Sequence, residues 1–222
     1  SDCYRRIWEA VFEPAVRGGY AIYDGYSSDL SKTGEIVCST GSTAGILFYG
    51  EEITYPDNTT EQVEYTVLPF PTFQGGEKIA IQRGNGLVVA RSTPEKEQAA
   101  AVFLKWFTAP EQNMRFVAST GYLPVTRSAF EERMEQEIAA NENVNIQKLL
   151  RAAMTVYEAY RFYVPPVFDA FNAVSSAYAE KLQTAASEAR QEYLSLLEGG
   201  AAEEEAYRQA AAGRLEAFRS AW

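Results

Sequence analysis

From Thr93 onward the apolar residues of this chain fall at helical spacing, whereas between residues 35 and 90 they come in short, strand-like runs. Thr93-Pro94 supplies an N-cap and a first-turn proline, and Ala100, Phe103, Leu104 and Phe107 follow on one helical face. Thr108-Ala109-Pro110-Glu111 reads as a capping box for a second helix, ending near Thr120-Gly121. Ser128 to Glu131 reads as a third, opening a helix to Ala140. An amphipathic run over 144–160 stops ahead of Pro165-Pro166, which cannot continue a helix. Phe168, Phe171, Val174, Tyr178 and Leu182 then begin a long helix ending at Gly199-Gly200. An Ala/Glu-rich helix from Glu203 to Phe218 follows, with a pattern that predicts a solvated, frayed end.

The first part of the chain is patterned differently. Ile7, Trp8, Val11 and Phe12 share a helical face that leads into a Gly/Tyr-rich loop, 18–26. Glu35 to Ser39 reads as a short strand, followed by the small-residue turn Gly41-Ser42-Thr43-Ala44-Gly45. After a polar loop over 50–62, Glu64 to Leu68 and Ile79 to Ala90 read as two further strands. The second is interrupted by Arg83-Gly84-Asn85-Gly86, and glycines inside a strand mark a bulge or a close approach to the backbone. A few strands followed by many helices, with no internal repeat, give an α/β or α+β class.

Composition then removes whole classes of function. The hydrophobic share of 46% and charged share of 23% are globular values. The net charge of −10 argues against a nucleic-acid binder, since no basic patch can displace counterions from phosphates. The chain has no histidine, which excludes Ser-His-Asp and Cys-His catalysis and every His-containing metal site. Cys3 and Cys38 are its only cysteines, too few for a four-cysteine zinc site, though one bridge between them stays open. No apolar run approaches the roughly 18 residues that span a bilayer, and no signal peptide is read. An exported protein of this sequence has therefore lost its targeting segment. Ser42 stands one place too early for a nucleophile elbow, and Gly84-Asn85-Gly86 lacks the third glycine of a dinucleotide loop. Glu131-Glu132 and Glu203-Glu204-Glu205 fall on expected helix surfaces. No catalytic residue, metal or cofactor is expected.

The stretch from Asn85 to Phe130 says more. Asn85-Gly-Leu-Val-Val-Ala, Ser92-Thr-Pro-Glu-Lys-Glu-Gln-Ala-Ala, Phe103-Leu-Lys-Trp-Phe-Thr-Ala-Pro-Glu-Gln and Thr120-Gly-Tyr-Leu-Pro-Val-Thr-Arg-Ser-Ala-Phe stand in that order. This strongly resembles the family 1 extracellular solute-binding proteins of bacterial ABC importers. The Thr120-to-Val125 run after an Ala-Pro-Glu helix resembles the branch that binds glycerol-3-phosphate, related glycerophosphodiesters or sugars. Thr33 to Val37 and then Gly41 to Ala44 resemble that family's ligand turn after a strand. Val67 to Pro71 resembles its hinge-proximal strand, and Leu196 to Gly199 with Glu205-Ala206 its C-terminal helix pair.

The resemblance covers nearly the whole chain but only the second half of the family's length. It implies an α/β chain, the C-terminal half of a two-lobed periplasmic-binding-protein-like (type II) fold, helix-rich with a small mixed sheet. Residues 1–69 and 123–222 would form the second lobe, and 70–122 a hinge crossing and excursion into a first lobe otherwise absent. It implies a non-catalytic, extracytoplasmic subunit, periplasmic or lipid-anchored as a lipoprotein. Such a subunit closes on a small polar solute, a carbohydrate or glycerophosphate, and delivers it to the membrane permease.

Four places carry over as ligand contacts. The Gly41-Ser42-Thr43 turn offers hydroxyls and backbone N–H groups, and Gly84 lets a ligand oxygen reach the backbone. Tyr122 can stack on a sugar ring or give its O–H to a phosphate. Arg161 precedes Phe-Tyr-Val-Pro-Pro and has the planar fork that suits phosphate, although Tyr163-Val164 departs from the family's Asn or Gly before the proline. Trp8 and Trp106 are read as core or interface aromatics. Apolar faces of 70–122, such as Phe103 and Phe107, are expected to need cover or to self-associate. Two rival classes are a helical interaction module without a ligand and a carboxylate-based hydrolase.

Overall fold

Helices carry most of the fold, and most start or stop where the sequence supplies a physical reason. The computed structural model describes residues 2–221. The chain opens with α1 (Asp2–Ile7), a π-helical turn (Trp8–Phe12), α2 (Glu13–Arg17), α3 (Ser27–Lys32) and a 3-10 helix (Thr43–Phe48). Short strands β1 (Glu52–Thr54), β2 (Thr60–Gln62) and β3 (Ile79–Ile81) come next. Then follow α4 (Pro94–Phe107), α5 (Pro110–Thr120), α6 (Arg127–Ala140), α7 (Val144–Ala159) and β4 (Arg161–Tyr163). The chain finishes with α8 (Phe171–Glu198), α9 (Glu203–Ala210) and α10 (Arg214–Ser220). It divides into two compact units, one built from the chain through Gly25 together with everything from Pro166, the other from Tyr26–Pro165.

In the first unit, Phe12 and Val16 are fully buried against Ala186 and Ala189 of α8, Ala206 and Ala210 of α9, and Phe218 of α10. Trp8 and Phe12 stack with ring centroids 3.8 Å apart, which confirms Trp8 as a core aromatic. Gly18 ends α2 in the left-handed region at φ 92°, where a side chain would strike the Arg190 guanidinium that donates to the Val16 carbonyl at 2.9 Å. The expected frayed last helix is corrected here. It is two helices broken at Gly213, φ 70°, and Ala206, Ala210 and Phe218 are buried. Alanines on α8 and α9 let the helices approach closely, so small residues do the packing that the sequence pattern understates.

The second unit is centred on α5, α6 and α7. Met114 and Val117 meet Ala129, Phe130, Met134 and Ile138, with Ile146 and Leu150 from α7. Phe130 stacks on Tyr157 at 4.3 Å. Thr93 caps α4 as expected, its Oγ1 accepting from Lys96 N, and Gly121 terminates α5 at φ 72°. Two caps shift. Thr108 Oγ1 donates to the Leu104 carbonyl at 2.8 Å, so it closes α4 and leaves Ala109 to start α5. Thr126, not Ser128, caps α6 by accepting from Ala129 N at 3.3 Å.

The strands depart furthest from expectation. The small mixed sheet is two separate two-stranded ribbons, an antiparallel β1–β2 and a parallel β3–β4. Glu35 to Ser39 is no strand: it runs through a turn into extended chain, and Val37 is fully exposed. Residues 64–68 form no strand, and α7 and its C-cap residue supply side chains to that run and its continuation. Lys148 donates to the Tyr65 carbonyl at 2.8 Å, and Tyr160 to the Phe70 carbonyl at 2.7 Å. The strand from Ile79 stops at Ile81, and 82–90 is exposed chain without a ladder. Nor does α4 bury a residue; Phe103 and Trp106 are each 52% exposed.

Candidate functional site

The loop after α5 is anchored at both ends. Asn113 is buried, and its Oδ1 accepts from Val125 N at 2.9 Å, which ties the far end of the loop to the helix. At the near end Gly121 N donates to the Val117 carbonyl at 3.0 Å. Between them Tyr122 rests on Phe116, ring centroids 5.5 Å apart. Phe116 continues to Phe107 at 5.3 Å, and Phe107 to Phe103 at 5.9 Å, so an aromatic row joins Tyr122 to the open face of α4.

A close contact brings the small-residue turn to this loop. A Cβ on Gly121 would stand 2.8 Å from the Thr43 carbonyl oxygen, 2.9 Å from Ile46 Cγ2 and 3.2 Å from Leu149 Cδ2. Only glycine, at a left-handed φ and with no side chain, lets the Thr43 carbonyl and Ile46 pack there. The turn is held from behind as well. Tyr49 Oη hydrogen-bonds Ser27 Oγ at 3.0 Å and Ser39 Oγ at 2.5 Å, fixing the chain that enters the turn. Ser42 is exposed with φ −71° and ψ 148°, and its carbonyl accepts from Gly45 N at 2.9 Å. Among the described residues its hydroxyl has no protein partner.

The third contributor comes from the chain beyond β3. Gln82 N donates to the Tyr163 carbonyl at 2.9 Å, the last link of the ribbon. Gly84 follows with open space around its Cα, so neither a bulge nor a close neighbour demands glycine there. Asn85 Nδ2 donates to Tyr122 Oη at 2.9 Å and draws this segment to the loop. Two contacts therefore reach this loop: the Thr43 carbonyl against Gly121, and Asn85 on Tyr122.

Arg161 is placed differently. In the parallel register it stands opposite Ile79, at the start of β3, whereas Gly84 lies past the other end of that strand. Its Nη2 donates to Glu77 Oε2 at 2.8 Å, with the two side chains 71% and 73% exposed. Exposed pairs of this kind contribute little stability, but the carboxylate does match the guanidinium charge.

Asn85 and Asn113 are the residues that sequence reasoning passed over. Asn113 had a usable signal: it is a polar residue on the apolar stripe of α5, four residues ahead of Val117. Asn85 had none beyond its two flanking glycines.

Elsewhere in the unit, a shallow groove of about 330 Å³ lies between the extended 64–69 run and α7, lined by Glu64, Thr66, Val67, Lys148 and Arg151 among others. The Lys148 ammonium, 2.7 Å from Glu64, holds that carboxyl below its usual range. Cys3 and Cys38 are both free and exposed, so the bridge left open by the sequence is not formed. Among the described residues no cluster of His, Cys, Asp and Glu is arranged to hold a metal ion, and no helix is long and apolar enough to cross a membrane.

Ser42, Thr43 and Tyr122 bring hydroxyls and Asn85 an amide to these turns, with Ser42 and Asn85 exposed and Tyr122 half-buried. In comparison with known families, residues 14–145 match the model of the bacterial extracellular solute-binding proteins. The chain belongs to that family. No curated protein and no solved structure matches it.

Proposed function

We propose that this chain is the ligand-receiving part of the substrate-binding subunit of an ABC importer. It works outside the cytoplasmic membrane, in the periplasm or held by a lipid anchor, and performs no catalysis. It takes up a small polar solute of the carbohydrate or glycerophosphate type and hands it to the permease. Residues 1–69 and 123–222 act as the second lobe, and 70–122 crosses to a first lobe that closes over the solute.

The observation that carries this reading is a pair of contacts at the loop after α5. The Thr43 carbonyl lies against Gly121, and Asn85, next to Gly84, hydrogen-bonds the Tyr122 hydroxyl. The open face of α4 and the unladdered chain over 82–90 support the excursion, since a first lobe is what would cover them. Left uncovered, Val102, Phe103 and Trp106 give the chain a route to self-association. Arg161 has its charge matched by Glu77, which favours a neutral polyhydroxyl solute over a phosphorylated one.

Isothermal titration tests this with maltose and sn-glycerol 3-phosphate. A half-enclosed site loses many of its contacts, and about 4 kcal/mol lost already means roughly a thousandfold, so millimolar binding is expected. Tyr122→Phe and Ser42→Ala each remove one hydroxyl and should weaken maltose binding about 3- to 10-fold. Binding that neither substitution alters would remove both residues from the site.

A further inference from the structure

Asn85 does more than hold Tyr122 in place. Its Nδ2 uses one hydrogen on Tyr122 Oη at 2.9 Å, and three hydrogen-bonding functions are left over. The phenol keeps its O–H to donate, the amide keeps a second N–H, and Oδ1 keeps its lone pairs. Donors and an acceptor thus stand side by side on one short hydrogen-bonded unit. If the amide turns over, Tyr122 donates to Oδ1 and the two amide hydrogens face outward beside the phenol lone pair. The pairing of outward donor with outward acceptor survives.

That pairing matches hydroxyl groups, each of which both donates and accepts. It does not match a phosphate, which offers acceptors alone and carries charge that Asn85 and Tyr122 cannot neutralise. The surroundings agree with a role at a surface that receives something. Asn85 is exposed, the glycines on either side of it have open space about their Cα atoms, and the Tyr122 ring is backed by Phe116 at 5.5 Å. Tyr122 is half-buried, with Phe116 tilted 46° against it, so its ring is held while part of the side chain stays open to solvent.

We propose that Asn85 is a specificity-determining residue of this site, selecting neighbouring hydroxyls of a neutral polyol through its hydrogen bond to Tyr122. This rests on the solute-binding reading given above. Two substitutions separate recognition from simple positioning. Asn85→Ala removes the side chain, while Asn85→Asp still bonds Tyr122 but consumes the phenol proton and leaves only acceptors facing out. A positioning role is rescued by Asn85→Asp; a recognition role is not.

The experiment is an NMR titration of the full chain, uniformly ¹⁵N-labelled, with maltose and separately with inorganic phosphate. Maltose is expected to move the side-chain amide pair of Asn85, and both variants should weaken maltose about five- to tenfold, with less effect on the phosphate. Wild-type maltose affinity in Asn85→Asp, or in both variants while Tyr122→Phe is impaired, overturns the proposal and leaves the site standing. If neither probe perturbs Ser42, Thr43, Gly84, Asn85 or Tyr122, the site reading falls and this proposal with it.

Discussion

Gly121→Ala is expected to lower the stability of the Tyr26–Pro165 unit by about 2–4 kcal/mol and to part the Ser42 turn from Tyr122. Two costs add. A left-handed φ of 72° is unfavourable for alanine by about 1–2 kcal/mol. The new methyl would also stand 2.8 Å from the Thr43 carbonyl, a backbone atom that can move only if the turn moves with it. Ile46 on the same side, at 2.9 Å, closes the alternative of sliding past. Gly84→Ala is the natural control: its surroundings are open, so a loss within about 0.5 kcal/mol is expected. Urea unfolding gives both numbers, and amide shifts at Thr43 and Tyr122 report the displacement. A loss below about 1 kcal/mol with unmoved shifts would mean that the turn does not depend on Gly121.

Phe12→Ala should cost about 3–5 kcal/mol in the other unit, the usual range for deleting a fully buried ring. Phe12 is stacked on Trp8 at 3.8 Å and is buried with Ala189 and Tyr193, where alanine neighbours cannot swing in to fill a void. The cavity term is therefore retained in full. Hydrogen exchange at the Ala189 and Tyr193 amides measures it, and a change under about 1 kcal/mol would show that the ring is not central to that core.

The helices from α4 to α8 were legible because each carries its own evidence, whereas α3 had no such signal. Thr93 before Pro94, Gly121 after Thr120 and the apolar stripe of Ile146, Leu149 and Leu150 are local signals, read within a turn or two of the chain. Strands have no such autonomy. Glu35 to Ser39 has the β-branched composition of a strand, but a strand exists only where another chain segment completes its ladder. The same holds for 64–68, whose carbonyl at Tyr65 is taken by a lysine instead. The last helix was misread for a different reason: alanine adds little to a hydrophobic pattern, yet Ala206 and Ala210 pack because α8 opposes them with Ala186 and Ala189.

The candidate site shows the same division. Tyr122 and the Ser42 turn enter as candidates only through the resemblance of whole motifs. Asn85 pairs with Tyr122 across 37 residues, and Arg161 with Glu77 across 84; no spacing rule reaches that far. The bond between Asn113 and Val125 spans only 12 residues, but it needed the loop geometry to reveal it. Arg161 read alone suggests an anion clamp. Beside Glu77 it is one half of an exposed ion pair, and the expected solute changes with it.

Whether Gly41–Thr43, Gly84 and Tyr122 form one solute-binding surface is measured most directly by mapping amide shifts across the whole chain during a maltose titration. The predicted result is a single set of shifting resonances at Ser42, Thr43, Gly84, Asn85 and Tyr122, saturating together in the millimolar range. Shifts confined to another surface, such as the groove lined by Lys148 and Arg151, would contradict it.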